Sequence, residues 1–429
     1  MSGETLFPLA QKELDERERF DWLRLSRSEM IGPRTFLSLL DRYRSASSAL
    51  AAVPDLARRK GRPIKLADTS DVERECEALA AAGGSFIALC EPDYPPLLRL
   101  IDAPPPIIAV RGRRESLARA KVAIVGARNA SAAGLVFTER LSREIAKAGY
   151  VIVSGLARGI DAKAHQAALE TGTIAVLAGG LGRIYPAEHA PLLERLLGEG
   201  AAISEMPFHW EARGRDFPRR NRIVSGLSLG LVVVEAARQS GSLITARFAA
   251  DQGRQIFAVP GSPLDPRAEG PNDLLQEGAT FCTKPDDVID ALANQRNHVA
   301  RPGFAEASAP SDGADLLWDE IDFLETDASV FRKSIKAEWD EETVPTPAAA
   351  LFSDESAVLI ASDGQDHPDQ ASLKERIIAL LGPAPVSVDE LARAAASPPG
   401  ELQAVLLILE LEGRLTRHGA SLVSLLSRS

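Results

Sequence analysis

Residues 121–165, KVAIVGARNASAAGLVFTERLSREIAKAGYVIVSGLARGIDAKAH, decide the fold. KVAIVGA (121–127) and YVIVSG (150–155) are almost continuously apolar and rich in β-branched residues, and the stretch between them is amphipathic. Outward from this cycle the pattern repeats: PPIIAV (105–110) before it, then TIAVLAG (173–179), AAISE (201–205), GLVVVEA (230–236) and QIFAVPG (255–261) after it. Strands without polar alternation are buried on both faces, and helical stretches between them supply the cover. The expectation is an extended Rossmann-like, doubly wound, mainly parallel α/β sheet over roughly 104–282.

A chain of 429 residues exceeds one ordinary domain. Residues 1–85 carry helical spacing (Phe20, Leu23, Leu25; Phe36, Leu39, Leu40) around a turn, Ile31-Gly32-Pro33-Arg34-Thr35, that fits either a helix-hairpin-helix module or a plain interhelical turn. Residues 86–298 hold the sheet, and 299–370 read as an acidic flexible linker. Residues 371–429 read as a winged helix whose third helix, with Glu401, Glu410 and Glu412, has no basic excess.

The net charge of −11 argues at first against a polyanionic ligand. Its distribution reverses the inference. Residues 301–370 carry 4 basic against 17 acidic side chains, whereas residues 121–270 carry 18 against 14. No run of apolar residues is long enough for a membrane helix, and the first twenty residues are too acidic for a signal peptide, so a cytoplasmic protein is expected. Cys76, Cys90 and Cys282 are too scattered for a disulfide framework or a zinc site.

Ligands of open parallel sheets gather at the carboxyl ends of the strands, so the residues after each run are the candidates. Gly126, Arg128 and Ser131 follow the first run, and glycine with a helix N-terminus suits an anion. Ser154, Gly155 and Arg158 follow the second, and Ser240 and Ser242 open a further small-residue loop. Phe217-Pro218-Arg219-Arg220-Asn221-Arg222 is the strongest signal for nucleic acid: arginine forks for phosphate, an amide, and a ring on which a base can stack. Asp161 and His165 lie on one helical face and read as a brace, and Arg222 is expected to pair with Glu205 or Glu235. Loops presenting this many anion-binding groups suit an extended strand, hence single-stranded DNA.

There is no GxxxxGK[ST] phosphate loop and no GxSxG elbow, and no paired-carboxylate motif typical of a metal-dependent nuclease stands out beside a lysine. Binding without catalysis, cofactor or metal is the expectation.

Taken in order, Tyr94-Pro95-Pro96-Leu97-Leu98, VGAR (125–128), SGLARGIDAKAH (154–165), AVLAGGL (175–181), IYP (184–186), SEMP (204–207), FPRRNRIVSGLS (217–228), VVEA (233–236), SGSLITA (240–246) and AVPG (258–261) resemble the DNA-processing protein A family, also called Smf. The resemblance implies a homodimer that binds single-stranded DNA and loads the RecA recombinase onto strands otherwise coated by single-strand binding protein, in recombination or natural transformation. It implies DNA contacts by Gly126, Arg128, Ser131, Phe217, Arg219, Arg220 and Asn221, with a helical sterile-alpha-motif-like domain before the core and a winged helix after it. Two departures stand out: Ala127 replaces a hydroxyl residue, and Ala187-Glu188-His189 replaces a basic stretch. Both shift the expected affinity toward the Arg219–Arg222 cluster.

Two other functions compete. A Rossmann-like nucleotide phosphoribohydrolase would use Glu235 beside a glycine-rich turn, but its usual Gly-Gly-x-Gly-Thr run is replaced by Gln239-Ser240-Gly241-Ser242-Leu243. A transcription regulator would act through the winged helix.

Overall fold

A computed structural model describes residues 11–59, 64–299, 368–382, 385–412, 414–418 and 422–425. The acidic segment expected at 299–370 lies almost wholly outside the described residues. The chain divides into two compact units, a larger one holding the N-terminal helices and the main sheet and a smaller C-terminal one.

The larger unit opens with four helices, α1 (Glu16–Arg27), α2 (Pro33–Tyr43), α3 (Ala46–Arg59) and α4 (Thr69–Ala81). Asp15 and Glu18 form a reciprocal capping box that starts α1, and Trp22 meets Phe36 of α2 at 5.0 Å between ring centres. The sheet has nine strands in the order β1-β2-β6-β5-β4-β3-β7-β8-β9. Its central members are β3 (Lys121–Val125), β4 (Val151–Ser154), β5 (Thr173–Val176), β6 (Ala201–Ser204) and β7 (Gly230–Val233), and every residue of these five is buried. All pairings from β6 to β9 are parallel.

The sheet is mainly parallel, as expected, and three features of it are not given by the apolar runs. β1 (Gly84–Ala88) and β9 (Thr280–Phe281) form the two edges and carry no long apolar run. The 85/86 division passes through β1. β2 (Ile107–Gly112) pairs antiparallel with both β1 and β6, a direction that an apolar run does not encode.

Winding from β3 runs outward through β4, β5 and β6 on one side and through β7, β8 (Gln255–Ala258) and β9 on the other, so the topological switch lies between β3 and β7. Alternate residues of one strand feed opposite faces. Ala123 and Val125 join the core shared with α9 (Asp216–Gly226) and α10 (Gly241–Asp251). Val122 and Ile124 join the one shared with α6 (Ala132–Lys147), α7 (Ile160–Ala167) and α12 (Pro285–Val299). No helix among the described residues is long and apolar enough to cross a membrane.

The smaller unit contains α13 (Pro368–Leu380), α14 (Val388–Ala395) and α15 (Pro399–Leu411), with a three-stranded antiparallel sheet of β10 (Val386–Ser387), β12 (Leu422–Leu425) and β11 (Leu415–His418). Ser387 and Glu390 cap α14 reciprocally. This is a winged helix, and its third helix exposes Leu407 and Ile408 rather than basic side chains.

Candidate nucleic-acid interface

The carboxyl ends of β3, β4 and β7 carry the predicted loops, and α9 reaches over that edge and the end of β5. The long connection after β6 places Phe217 in the first turn of α9. One turn later Arg220 is 7% exposed, and its Nη1 donates to the carbonyls of Gly155, just past β4, and Val176, the last residue of β5 (2.9 Å to the latter). Its Nε donates to Asn221 Oδ1 at 3.0 Å, and Asn221 Nδ2 donates to Gly241 O at 3.2 Å, at the start of α10. Two residues of α9 thus tie the ends of two strands and a neighbouring helix. A side chain at Gly155 would collide with the Arg220 guanidinium and could be accommodated only by displacing it from the Gly155 and Val176 carbonyls.

Asp161 lies beneath this clamp and accepts from the Gly155 and Ala157 amides at 3.0 and 3.4 Å. Burial pushes the Asp161 carboxyl up, with the Arg220 charge opposing that shift. Burial also lowers Arg220, to about 10, which leaves it charged at neutral pH. His165 is fully buried and held down to about 3 by desolvation, so it is neutral. Its Nδ1 lies 2.8 Å from Thr173 Oγ1, a hydroxyl that itself donates to Ile152 O, so Nδ1–H is the donor. Asp161 and His165 therefore brace the edge without bonding each other.

The loop after β3 is seated by its neighbours. Ser242 Oγ donates to Gly126 O at 3.0 Å, and Gly126 packs so tightly on Ile160 that a Cβ would clash. Gly159, at φ +69°, presses against the carbonyls of Ala127 and Arg128, where only glycine fits both the backbone and the space. Ser131 immediately precedes α6. The Glu235 carboxylate lies against Gly134 in the first turn of that helix, and Arg222 forms an ion pair with Glu205 while also donating to Ala103 O.

Several expected DNA contacts are corrected by this geometry. Ser154 is completely buried, its hydroxyl donating to Ile124 O at 2.6 Å. Gly155 is covered by Arg220, and Arg220 and Asn221 are buried clamps rather than surface contacts. Gly126 is buried, and Ser242 donates its hydroxyl to it. Two further candidates keep part of their surface: Ser240, half-buried, caps α10 by accepting from Ser242 N, and Arg158, 48% exposed, is ion-paired with Glu188.

What remains at the surface is a smaller constellation. Arg128 lies over the Phe217 ring at 5.6 Å, and Arg220 approaches the same ring at 5.9 Å from its buried side. Arg219, partly exposed on α9, makes no ion pair or hydrogen bond among the described residues. Sequence reasoning missed Tyr185, which is 38% exposed and meets Phe217 edge-on at 5.7 Å. The IYP motif was visible, but only the fold brings the connection after β5 beside α9. Nearby, Arg213 stacks over Trp210 at 4.6 Å. Guanidinium groups beside exposed ring edges can hold phosphates while bases stack.

Comparison with known proteins identifies the same stretches. The profile of the DNA recombination-mediator protein A family matches residues 85–293. A DprA-like N-terminal HHH domain matches 16–78 and a DprA winged helix domain matches 361–421. The chain is 40% identical over 232 residues to DNA processing protein DprA of Bacillus subtilis, covering 53% of this chain and 78% of that protein. It is 32% identical over 339 residues to protein Smf of Synechocystis, covering 78% of each. DNA processing protein A from Streptococcus pneumoniae superimposes with a TM-score of 0.55 at 28% identity, covering 65% of this chain and 98% of that one.

Proposed function

The chain belongs to the DNA-processing protein A (DprA/Smf) family, and we propose that it binds single-stranded DNA along the carboxyl edge of its parallel sheet and delivers the strand to a RecA-type recombinase. The observation that carries the reading is the grouping of Arg128, Phe217 and Tyr185 beside the topological switch, with Arg219 partly exposed on the same helix as Phe217. Among the described residues Arg128 and Arg219 have no carboxylate partner and can take phosphates, and the Phe217 and Tyr185 rings, in edge contact, supply aromatic surface for unpaired bases. A duplex hides its base faces, so this pairing of cation and ring favours single strands.

The protein acts by binding rather than turnover. Arg220, Asn221, Asp161 and His165 are engaged in holding the loops, an arrangement suited to a rigid platform. Exchange of the strand to RecA in the presence of single-strand binding protein, and a homodimeric state, complete the proposal. Titration of a labelled oligothymidylate by anisotropy tests it, with a duplex of the same length as control. Binding of the single strand at least about tenfold tighter than duplex supports the reading, and equal binding rejects it. A RecA-loading assay on strands coated with single-strand binding protein tests the delivery step.

A further inference from the structure

The loop after β4 and the turn after β5 face each other across the same edge. Arg158 of the first presents Nε and Nη2 to the two carboxylate oxygens of Glu188 of the second, at 2.6 and 2.9 Å. The side chains are 48% and 52% exposed, so both partners of the pair are open to water. A second bond joins the same segments: His189 Nδ1 donates to Leu156 O at 2.8 Å. Glu188 lies three residues beyond Tyr185, whose ring touches Phe217. Arg158 precedes Gly159, which abuts the backbone of Arg128. The ion pair therefore joins the two segments that lead to the proposed strand-binding groups, one to Tyr185 and the other to the backbone of Arg128.

We propose that Glu188 is a built-in competitor for the strand, occupying the fork of Arg158 that a phosphate would otherwise take and so setting the affinity of this edge. The proposal rests on the single-strand reading above. A carboxylate and a phosphate present the same pair of oxygens to a guanidinium, so each displaces the other without change of geometry. An exposed ion pair is a weak latch, readily exchanged for a phosphate that brings its own counterion release. The Glu188 charge also repels a strand passing Tyr185. The His189 bond holds the turn in place independently of the ion pair, so losing the Glu188 charge opens the Nε and Nη2 edge of Arg158 to another acceptor without unseating the loop.

The test uses the full chain and oligothymidylate, with affinity measured across a range of salt concentrations for the natural protein, Glu188→Gln, Arg158→Ala and the double variant. The expected result is about three- to tenfold tighter binding by Glu188→Gln at low salt, and a salt dependence steeper by about 0.7 in log–log slope, the increment for one added phosphate contact on a single strand. Arg158→Ala in the Glu188→Gln background returns affinity and slope to those of Arg158→Ala alone. Thermal melting of Glu188→Gln within roughly 2 °C of the natural protein is expected for an exposed pair. Unchanged affinity and slope in Glu188→Gln overturn the proposal while leaving single-strand binding intact. A gain that survives loss of Arg158 also overturns it, because the effect is then general charge. No binding of single strands by any of the proteins overturns the single-strand reading and this proposal together.

Discussion

Three neighbouring arginines of α9 have three different situations: Arg219 is partly exposed and unpaired among the described residues, Arg220 is buried against two strand ends, and Arg222 is ion-paired with Glu205. Successive residues of a helix point about 100° apart, so the consecutive Arg219 and Arg220 cannot serve one surface. Phe217→Ala is expected to weaken oligothymidylate binding by about 1–3 kcal/mol, roughly five- to 150-fold, with little change in melting temperature. Anisotropy titration and calorimetry measure the two quantities. Arg220→Ala should instead destabilise the fold by about 3–5 kcal/mol, because it strips the Gly155 and Val176 carbonyls of their donor and removes the positive charge facing Asp161. Denaturant unfolding checks it. His165 supplies a pH prediction. Its folded pKa is about 3 against 6.5 for an ordinary histidine, so the unfolded chain binds the extra proton between those values. Stability therefore falls as pH drops from about 6.5 toward 3, by up to about 1.4 kcal/mol per unit from this group. Unfolding of His165→Gln across that range should show a shallower decline than the natural protein.

At the level of elements, each loop at the sheet edge is held by its neighbours, and Gly159 is where that dependence is tightest. Gly159→Ala would place a methyl group about where the Ala127 and Arg128 carbonyls lie, at a φ unfavourable for alanine. The expected outcome is lowered thermal stability together with weaker strand binding, since Arg128 is displaced, measured by melting and by titration on the same preparation. Every strand whose burial is complete is readable in the sequence, and β2 and β8, buried over part of their length, are readable too. β3, β4, β5, β6 and β7 are apolar on both faces and announce themselves. β1 and β9 do not, because an edge strand has a partner on one side only and needs few residues to complete the sheet. The arginine segment was legible as a site, but the roles within it were not. The connection leading into Asp216 has no helical periodicity from which to phase α9, and the partners of Arg220 come from residues 44 and 65 positions away in the chain. Tyr185 escaped for the same reason, being 32 residues from Phe217.

For the whole molecule, the net charge of −11 is a poor guide to its ligand, since the acidity is concentrated outside the sheet-bearing segment. The distribution of charge predicts that binding is local to the sheet edge and electrostatic. It should weaken with salt according to the number of phosphates engaged, about 0.7 per contact for a single strand. The most direct measurement is the salt-dependent affinity of the full chain for oligothymidylate, comparing the natural protein with Arg128→Ala and Arg219→Ala. The account predicts binding that favours the single strand over duplex, with each substitution lowering affinity and reducing the log–log salt slope by about 0.7. Affinity and slope unchanged in both variants would contradict it.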